Sequence, residues 1–383
     1  MSVLVINAIN LRDGGGLTHL IELLRNVDFE KYIFKKVIIV GSDSTISKIS
    51  NKNWLQKESH YFLNSGFLGI QCWRIFYFKR FLIKNRCDLL FDPGGGYSGS
   101  FRPYVTMCRN MLVFEHAERN RYKYSLVYFR LLILKTIQFK SFQNASGIIF
   151  ISNYAKLFLE RELKFRPLLC HVINHGVSPQ FDLPVKQQKD IKKYSSESSF
   201  KLLYVSIIDL YKHQDKVAEA VLKLREVDMF PIELSFVGPI YKPAFDKLKK
   251  WMSPIYGNSV KYLGKIDYNN LNDLYKNSDA FIFASSCENM PNILIEAMRS
   301  GLPICCSNKG PMPEFLETNG FYFDPENVES IYKVLKEMIL NPIKRQEKAM
   351  GSKACSYKYT WNKCASETFF FLDKFYTNVK NND

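Results

Sequence analysis

Short apolar runs alternate with longer segments of helical periodicity along most of the chain. The apolar runs are rich in Val, Ile, Leu and Phe and show little polar alternation, which is typical of strands covered on both faces, as in a parallel sheet. The pattern therefore predicts an α/β fold. The predicted strands are 2–7, 35–41, 88–91, 104–107, 147–152 and 170–174, followed by 200–206, 232–238, 260–264, 279–285 and 302–306.

A polar stretch interrupts this alternation at residues 178–199. It contains two prolines and the sequence SSESS, and it carries no apolar pattern, so it is the best candidate for a linker. A chain of 383 residues is long enough for two domains. We predict a doubly wound domain over residues 1–180 and a second one over residues 181–360. A C-terminal helix at about 361–380 is able to pack on either domain, and we assign it to the first.

Positive charge is concentrated in the first half of the chain. Residues 1–180 carry 25 Lys and Arg against 12 Asp and Glu, and the remainder carries 28 against 25. Such a surplus indicates an anionic partner: lipid headgroups, nucleic acid or phosphorylated substrates. No nucleic-acid recognition motif is present, so nucleic acid is not expected.

Two segments, residues 66–86 and 122–142, interleave aromatic and aliphatic residues with Lys and Arg. Both are too short and too charged to span a bilayer. They fit a helix lying on an anionic lipid surface. They fit equally a helix with one core face and one solvated basic face, and the sequence leaves both interpretations open.

The N-terminal sequence MSVLVINAIN has no signal-peptide features, and no apolar run approaches the length of a transmembrane helix. The nine cysteines are scattered without a C-x-x-C spacing. This pattern indicates a reduced cytoplasmic chain without a disulfide framework, structural zinc or another metal site.

Glycines after predicted strands raise the question of phosphate binding. Residues 94–99 match G-x-G-x-x-G, but a dinucleotide fingerprint needs a helix to begin there. Pro103 and the strand-like YVTM follow instead, which favours a loop. That loop is either structural or one where Gly95 and Gly96 let a ligand approach the backbone. The earlier run GGG precedes a helical pattern, which suits a phosphate at the helix N-terminus and makes Gly15 and Gly16 anion-binding candidates.

The strongest signal is residues 285–303, SSCENMPNILIEAMRSGLP. A strand leads into a polar loop, and a helix follows in which Pro291 takes the first position and residues 292–300 continue, with Gly301 as the C-terminal cap. Such a junction is where ligands bind in open α/β sheets. Backbone amides at the helix start would face an anion. The candidate anion-binding residues are Asn289, Met290, Pro291, Asn292 and Ile293.

Glu288 and Glu296 flank this positive helix end. Because a carboxylate repels a diphosphate, each is suited instead to accept hydrogen bonds from paired hydroxyls, as a sugar or ribose supplies them. The alternative is one Glu that favours the helix dipole and one solvated helical Glu. Physical chemistry alone leaves these two interpretations open.

Several motifs together resemble a known family. E-x7-E, with PN after the first Glu and EAM-x-S-G-x-P at the second, resembles the donor signature of family-four retaining glycosyltransferases of GT-B fold. VSIIDLYKHQDKVAEA resembles the opening of that family's second domain, and Lys212 matches the lysine of its diphosphate-binding pair. Ile208 and Asp209 stand where the arginine of that pair is usual. KGPMPEFL, GFYFDP and IFISNYAK also resemble the family.

The resemblance implies two facing Rossmann-like domains with a cleft between them and a retaining, metal-independent transfer. The donor would be a UDP- or GDP-linked sugar, which is a substrate, so no cofactor is expected. Lys212 and the amides at residues 291–293 would neutralise the leaving group. Glu288 would contact the donor sugar, Glu296 the ribose, and His116 the transferred sugar. Gly15 and Gly16 fall where the family's N-terminal glycine loop lies and would also bind the donor. Residues assigned to the acceptor side are Arg109, Asn110 and Arg119, together with the glycine loop above.

These expectations combine into one function. The chain is expected to be a hexosyltransferase that extends a lipid-linked saccharide in bacterial surface polysaccharide biosynthesis, such as O-antigen or lipopolysaccharide, on the inner face of the cytoplasmic membrane. One alternative is a GT-B nucleotide-sugar isomerase or epimerase. Another is a degenerate, non-catalytic lipid-binding homologue. The missing arginine near Asp209 favours the latter, whereas the joint presence of Lys212, Glu288 and Glu296 argues against it.

Overall fold

Two structural units make up the chain. The computed structural model describes residues 2–162, 164–165, 169–253, 255 and 257–382, with only the backbone of residues 379, 381 and 382. Unit 1 comprises Met1–Phe114, Lys123–Gly176 and Thr360–Asp383, and unit 2 comprises Glu115–Tyr122 and Val177–Tyr359.

Each unit contains one parallel sheet. The strands of unit 1 are β1 Val3–Asn7, β2 Lys36–Val40, β3 Leu55–Glu58, β4 Leu89–Asp92, β5 Tyr104–Cys108, β6 Gly147–Phe150 and β7 Cys170–Val172. The strands of unit 2 are β8 Phe200–Val205, β9 Ile232–Val237, β10 Val260–Tyr262, β11 Ala280–Phe283, β12 Ile304–Ser307 and β13 Phe321–Phe323. The orders are β3-β2-β1-β4-β5-β6-β7 and β10-β9-β8-β11-β12-β13, and all described pairs are parallel.

Helices connect the strands, as parallel pairing requires. In unit 1 they are α1 Gly15–Asn26, α2 Asp43–Ile46, α3 Tyr61–Asn64, α4 Gly66–Cys72, α5 Phe78–Lys84, α7 Leu126–Asn144, α8 Asn153–Glu162 and α16 Trp361–Asn382; a π-helical turn, Trp73–Tyr77, joins α4 to α5. In unit 2 they are α6 His116–Asn120, α9 Gln214–Val227, α10 Lys242–Leu248, α11 Leu271–Asn277, α12 Asn292–Arg299, α13 Met312–Leu316, α14 Val328–Leu340 and α15 Pro342–Ser356.

The central strands are buried on both faces, as their unbroken apolar sequences predict. In β1, Val5 pairs with Ile38 on one side and Leu90 on the other, and all three side chains are buried. The edge strand β3 differs because its sequence LQKE is polar and only half-buried. The apolar pattern does not predict β3 for that reason.

The strand order reverses direction at β1 in unit 1 and at β8 in unit 2. β8 lies between β9 and β11, so the chain segments leaving β8 and β11 diverge to opposite faces of the sheet. The gap that this leaves at the carboxyl ends is the switch point, where ligands bind in open α/β sheets. Each sheet has the six-strand order of a Rossmann fold, with β7 as an additional edge strand in unit 1.

The boundaries of the two units differ from the predicted ones in two places. The chain passes from unit 1 to unit 2 at Gly176, rather than at residue 180, and residues 115–122 lie in unit 2 although they are surrounded in sequence by unit 1. Contacts distant in sequence place them there, and local patterns carry no trace of such contacts. The helix α16 packs in unit 1, where the Asp373 carboxylate accepts a hydrogen bond from the Ile33 amide at 2.9 Å.

The predicted linker, residues 178–199, is anchored to unit 2. The Lys186 ammonium donates to the Ser278 carbonyl at 2.7 Å. The buried guanidinium of Arg345 donates to the carbonyls of Lys189 and Ile339 and lies over the ring of Phe200. The stretch is therefore polar because it covers the surface of unit 2, rather than because it is an unattached spacer.

A buried histidine lies in the core of unit 1. His19, on α1, is fully buried, and its ring stacks on His175 at 4.5 Å between centroids and lies 6.1 Å from the Trp361 ring. Within the described part of the chain, neither ring nitrogen of His19 has a hydrogen-bond partner. Burial, reinforced by nearby His175 and Arg109, lowers the pKa of His19 well below its usual value. The folded protein therefore holds this ring neutral.

We expect this ring to make the protein sensitive to acid. Below about pH 6.5 a histidine in the unfolded chain binds a proton, whereas folded His19 stays neutral. The free energy of unfolding therefore decreases as the pH is lowered, by up to about 1.4 kcal/mol per pH unit. His19→Phe preserves the ring stack and should reduce the loss of stability between pH 7 and pH 5, measured by urea unfolding. The exposed-site variant His171→Phe is the control, and an equal loss in all three proteins would contradict the assignment.

Candidate functional site

A lysine and a glutamate meet at the switch point of unit 2. The chain leaving β8 forms a 3-10 turn, Leu210–Lys212, and the chain leaving β11 forms the loop that carries Glu288. The Lys212 ammonium forms an ion pair with the Glu288 carboxylate. Their side chains are only 5% and 16% exposed, so the pair is largely removed from water.

Aromatic residues hold this pair in place. The Lys212 ammonium lies 4.9 Å from the ring centroid of Tyr211 and 5.0 Å from that of Phe283. The buried Tyr204 hydroxyl donates to the Lys212 carbonyl at 2.6 Å and accepts from the Ala284 amide at 3.2 Å. One hydroxyl therefore bridges the two loops that supply the charged groups.

The loop ends where α12 begins. The amides of Leu294 and Ile295 donate to the Pro291 carbonyl at 2.9 and 3.3 Å, so Pro291 is the N-cap rather than the predicted first residue of the helix, which begins at Asn292. The helix ends one residue earlier than predicted, and Gly301 follows with φ +66°, a conformation that suits glycine. The positive end of the helix dipole thus lies just after the loop that carries Glu288.

Glu296, one helical turn into α12, is 5% exposed. The Tyr275 hydroxyl donates to its carboxyl group at 3.3 Å. Burial raises the pKa of Glu296 to about 8, although hydrogen bonds from Tyr275 and Tyr268 act in the opposite direction. Near pH 7 the group is therefore largely a neutral carboxylic acid that both donates and accepts hydrogen bonds.

Residues 115–122 contribute a buried polar network beside the ion pair. The Ser286 hydroxyl donates to the Glu118 carboxylate at 2.7 Å and lies 3.0 Å from Nε2 of His213. Glu118 also accepts from the Arg121 guanidinium at 2.7 Å, and Arg121 pairs with Glu326 at 2.8 Å. Burial lowers the pKa of His213 to about 4, so this ring is neutral.

Asp209 stands where the resembled family has an arginine. It accepts a hydrogen bond from the Tyr122 hydroxyl at 2.6 Å and caps the 3-10 turn through the Leu210 amide at 2.7 Å. Burial raises the pKa of Asp209. The residue therefore has a structural role that joins residues 115–122 to the turn bearing Lys212.

A cavity of about 270 Å³ lies on this side of unit 2. Its lining includes Arg121, Asp209, His213 and Lys247, but not Lys212 or Glu288. Arg121 thus brings a cation to the surroundings of Asp209, although two carboxylates already pair with it.

Comparison with protein families identifies this part of the chain. Residues 186–354, nearly all of the second segment of unit 2, match the family model described as glycosyl transferases group 1. This segment is therefore similar to that family. The group 1 transferase segment contains the Lys212–Glu288 pair and Glu296.

Curated relatives match parts of the chain. The O-antigen chain mannosyltransferase B of Escherichia coli is 27% identical over 109 residues, which are 28% of this chain and 29% of that protein. The chain spans between 24% and 52% of the length of the curated relatives it matches.

Solved structures resemble the chain over its whole length. The sucrose-phosphate synthase of Thermosynechococcus elongatus superposes with a TM-score of 0.76 at 14% identity, covering 100% of both chains. The Anabaena protein HepE, solved in complex with UDP-glucose, gives a TM-score of 0.70 at 17% identity, covering 96% of this chain and 99% of that one. At identities this low, structural similarity shows the fold alone. The predicted α/β class with two Rossmann-like sheets of GT-B type is confirmed.

Two candidates from residues 115–122 lie beside the group 1 segment within unit 2. His116 begins α6, is exposed, and its ring lies 3.2 Å from the Asn120 amide nitrogen. Arg119 is 4% exposed on the same helix. Arg119, predicted on the acceptor side, thus lies in unit 2, and its acceptor role stays a prediction. A catalytic role for His116 stays a prediction.

Four further candidates lie in unit 1. The Arg109 guanidinium donates to the Gly16 carbonyl at 3.3 Å, and burial lowers the pKa of Arg109 to about 10. Gly15 begins α1, and Asn110 accepts from the Leu112 amide at 3.1 Å in a local turn. Arg109 is therefore occupied by the backbone of the glycine run, and the ligand roles of these residues stay predictions.

The glycine loop after β4 is organised by Asp92, which sequence reasoning did not single out. Asp92 is buried and accepts from the amides of Gly96 and Tyr97 at 2.8 and 2.9 Å. At Gly95, φ is +71° and a β-carbon would lie 2.6 Å from the Met107 carbonyl oxygen, so only glycine fits. β5 follows and no helix begins on these glycines, which confirms the rejection of a dinucleotide fingerprint.

The neutral Glu296 leads to a pH prediction. Between about pH 5 and pH 8 the folded state holds a proton that the unfolded carboxylate has lost, so stability decreases as pH rises, by up to about 1.4 kcal/mol per pH unit. Glu296→Gln keeps a neutral acceptor and donor, and it should gain stability relative to the wild type as pH increases from 5 to 8. Urea unfolding measures this, with the exposed-site variant Glu347→Gln as control. Parallel curves for all three proteins would sink the prediction.

Proposed function

We propose that the protein is a retaining glycosyltransferase that moves a sugar from a nucleotide-diphosphate sugar to a lipid-linked saccharide acceptor. The observation that carries the proposal is the largely buried Lys212–Glu288 pair at the switch point of unit 2, one loop before the N-terminus of α12. A cation and a helix N-terminus at one switch point suit a diphosphate. The match of residues 186–354 to glycosyl transferases group 1 supports the same chemistry.

The donor diphosphate would replace Glu288 as the ion-pair partner of the Lys212 ammonium. Lys212 and the first turn of α12 would stabilise the negative charge that develops on the leaving nucleoside diphosphate. In this proposal no metal ion is needed, because these groups supply the neutralising charge. UDP-glucose in the HepE structure supports a nucleotide-linked donor, of UDP or GDP type, as the substrate rather than a cofactor.

Freed from Lys212, the Glu288 carboxylate would accept hydrogen bonds from hydroxyls of the donor sugar. Glu296, as a neutral acid beside Tyr268 and Tyr275, would bind the ribose hydroxyls, both accepting and donating. Glu288 then discriminates hydroxyls from phosphates by charge, since an anionic carboxylate repels phosphate, whereas the neutral Glu296 does so through the hydrogen bonds it donates and accepts.

The acceptor and pathway rest on other support. The E. coli relative is named for O-antigen chain synthesis, which favours a role in bacterial surface polysaccharide assembly. None of the helices in the described residues has the length and apolar character needed to cross a bilayer. Large apolar side chains are nevertheless exposed on the helical segment 66–84, notably Leu68 at 81% and Phe76 at 61%. We propose that unit 1 lies peripherally on the inner face of the cytoplasmic membrane.

Removing either partner of the ion pair should abolish most turnover. A panel of nucleotide-sugars is first screened by thermal shift, since a bound ligand raises the melting temperature. With the donor so identified, Glu288→Ala and Lys212→Met are expected to reduce the release of nucleoside diphosphate at least tenfold, about 1.4 kcal/mol of barrier. Glu288→Gln serves as a second variant if either of these unfolds.

The exposed pair Lys223–Glu329 provides the matched control, because Lys223→Met and Glu329→Ala remove an ion pair outside the site. Turnover at the wild-type level in Glu288→Ala, with a normal melting temperature, would contradict the proposed donor site. Conversion of the nucleotide-sugar without any acceptor would contradict transfer and favour an isomerase.

Membrane association makes a separate prediction. The wild type should float with vesicles containing phosphatidylglycerol, through apolar contacts and attraction to the basic first half of the chain. Leu68→Ser combined with Phe76→Ser should reduce the bound fraction severalfold. Ile343→Ser, at an exposed apolar position of unit 2, is the control. Absence of flotation by the wild type would mean that the basic face is only solvated.

A further inference from the structure

Unit 1 has a cavity at its own switch point. The loops that follow β1 and β4 diverge there, and they are joined by a hydrogen bond of 2.8 Å from the Asn7 amide to the Asp92 carboxylate. A groove of about 920 Å³ opens over these loops, with Ile9 and Asn10 from the first loop and Gly94 and Gly96 from the second along its floor. A volume of this size is sufficient for a substantial organic ligand.

The walls of the groove are largely apolar and are formed by two helices, although Arg12 and Arg130 are among the polar residues that also line it. Phe67 and Ile70 on α4 and Phe129, Ile133 and Ile137 on α7 line it. Phe67 is 74%, Phe129 59% and Ile133 62% exposed, so these large side chains are not covered by the core of unit 1. An exposed apolar surface of this kind marks a ligand groove or interaction site.

A cation lies at one end of these walls. Arg74, in the π-helical turn after α4, lines the groove and also a second cavity of about 230 Å³, whose lining includes Lys79, Ser98 and Ser100. Within the described residues, one terminal nitrogen of Arg74 is buried and has no hydrogen-bond partner. A buried guanidinium nitrogen left unsatisfied is costly, and an anionic oxygen would satisfy it.

Asp92 does not provide that partner. The Asp92 carboxylate interacts electrostatically with Arg74 but bonds instead to Asn7, Gly96, Tyr97 and Thr106. The charge of Arg74 is therefore only partly compensated, at the junction between a long apolar groove and a small polar cavity.

We propose that this groove binds an amphiphile, a phosphate or diphosphate carried on a long hydrocarbon chain, with the phosphate at Arg74 and the chain along Phe67, Phe129 and Ile133. This site would hold the lipid part of the acceptor, and the assignment rests on the proposed function. Free phosphate would leave the apolar walls exposed, and a neutral lipid would leave Arg74 unsatisfied. Only a ligand with both parts satisfies both features.

Direct binding to the full-length protein tests the proposal. Farnesyl phosphate, kept below its aggregation concentration, is titrated calorimetrically beside farnesol and inorganic phosphate. Farnesyl phosphate should bind at least tenfold more tightly than either. Arg74→Gln should weaken the binding of farnesyl phosphate at least tenfold without changing the binding of farnesol. Ile133→Ser should weaken the binding of both lipids.

Two control variants match these changes. Arg80→Gln alters an exposed arginine on α5, and Ile83→Ser alters a side chain that is 61% exposed, close to the value for Ile133. Neither residue lines the groove. Both should bind like the wild type. Arg74→Lys, which keeps the charge, should restore part of the affinity if Arg74→Gln proves unstable by thermal melting.

Three results would overturn the inference: equal binding of inorganic phosphate and farnesyl phosphate, wild-type affinity in a folded Arg74→Gln, or equal losses in the groove and control variants. Nucleotide-sugar thermal shifts and Glu288→Ala turnover report on the proposed function separately. Lipid-phosphate binding without any donor turnover would contradict the proposed function alone. Donor turnover without lipid-phosphate binding would contradict the groove assignment alone.

Discussion

Parallel pairing of strands is the constraint on which the rest of this structure depends. Each connection must cross a face of the sheet, and at one strand of each unit the crossings change face, which leaves a gap at the carboxyl edge. In unit 2 this gap brings together Lys212 and Glu288, which are 76 positions apart in the chain. In unit 1 it brings together Asn7 and Asp92, 85 positions apart. Both sites follow from topology before any particular side chain is considered.

The two switch points handle buried charge differently. At Asp92, two backbone amides and two side chains satisfy the carboxylate within the protein, so it fixes the shape of a loop. Lys212 and Glu288 satisfy each other, and such a pair can exchange partners when a ligand of the right charge arrives. Removing one partner of a buried pair is costly unless another charge replaces it. The difference separates a structural carboxylate from groups available to a substrate.

The parts of the fold that were predictable are those whose causes are local. Apolar runs in the sequence predict buried strands such as β1 and β11, and Pro291 and Gly301 mark the two ends of α12. The polar edge strand β3 has no such pattern because only half of its surface is buried. Among the site residues, the family motif indicates Glu288, Glu296 and Lys212, but the ion pair between two of them emerges only from the folded geometry.

Residues whose role depends on distant contacts were not predictable. Nothing near Tyr122 in sequence reveals that its hydroxyl binds Asp209, and nothing near Glu118 reveals Ser286. Asp209 could be noticed only as a departure from an expected arginine. The family resemblance drew attention to position 209, and the structure shows what the aspartate does there: it accepts the Tyr122 hydrogen bond that holds residues 115–122.

Those residues have a consequence for protein engineering. Since residues 115–122 belong to unit 2, the chain passes between the units at 114/115, 122/123, 176/177 and 359/360. A chimera that exchanged everything before residue 177 for the equivalent part of another protein of this fold would discard Glu118, Arg121 and Tyr122. Asp209, Ser286 and Glu326 would then lose their partners beside the loop that carries Glu288. A recombined protein must therefore carry this eight-residue segment along with unit 2.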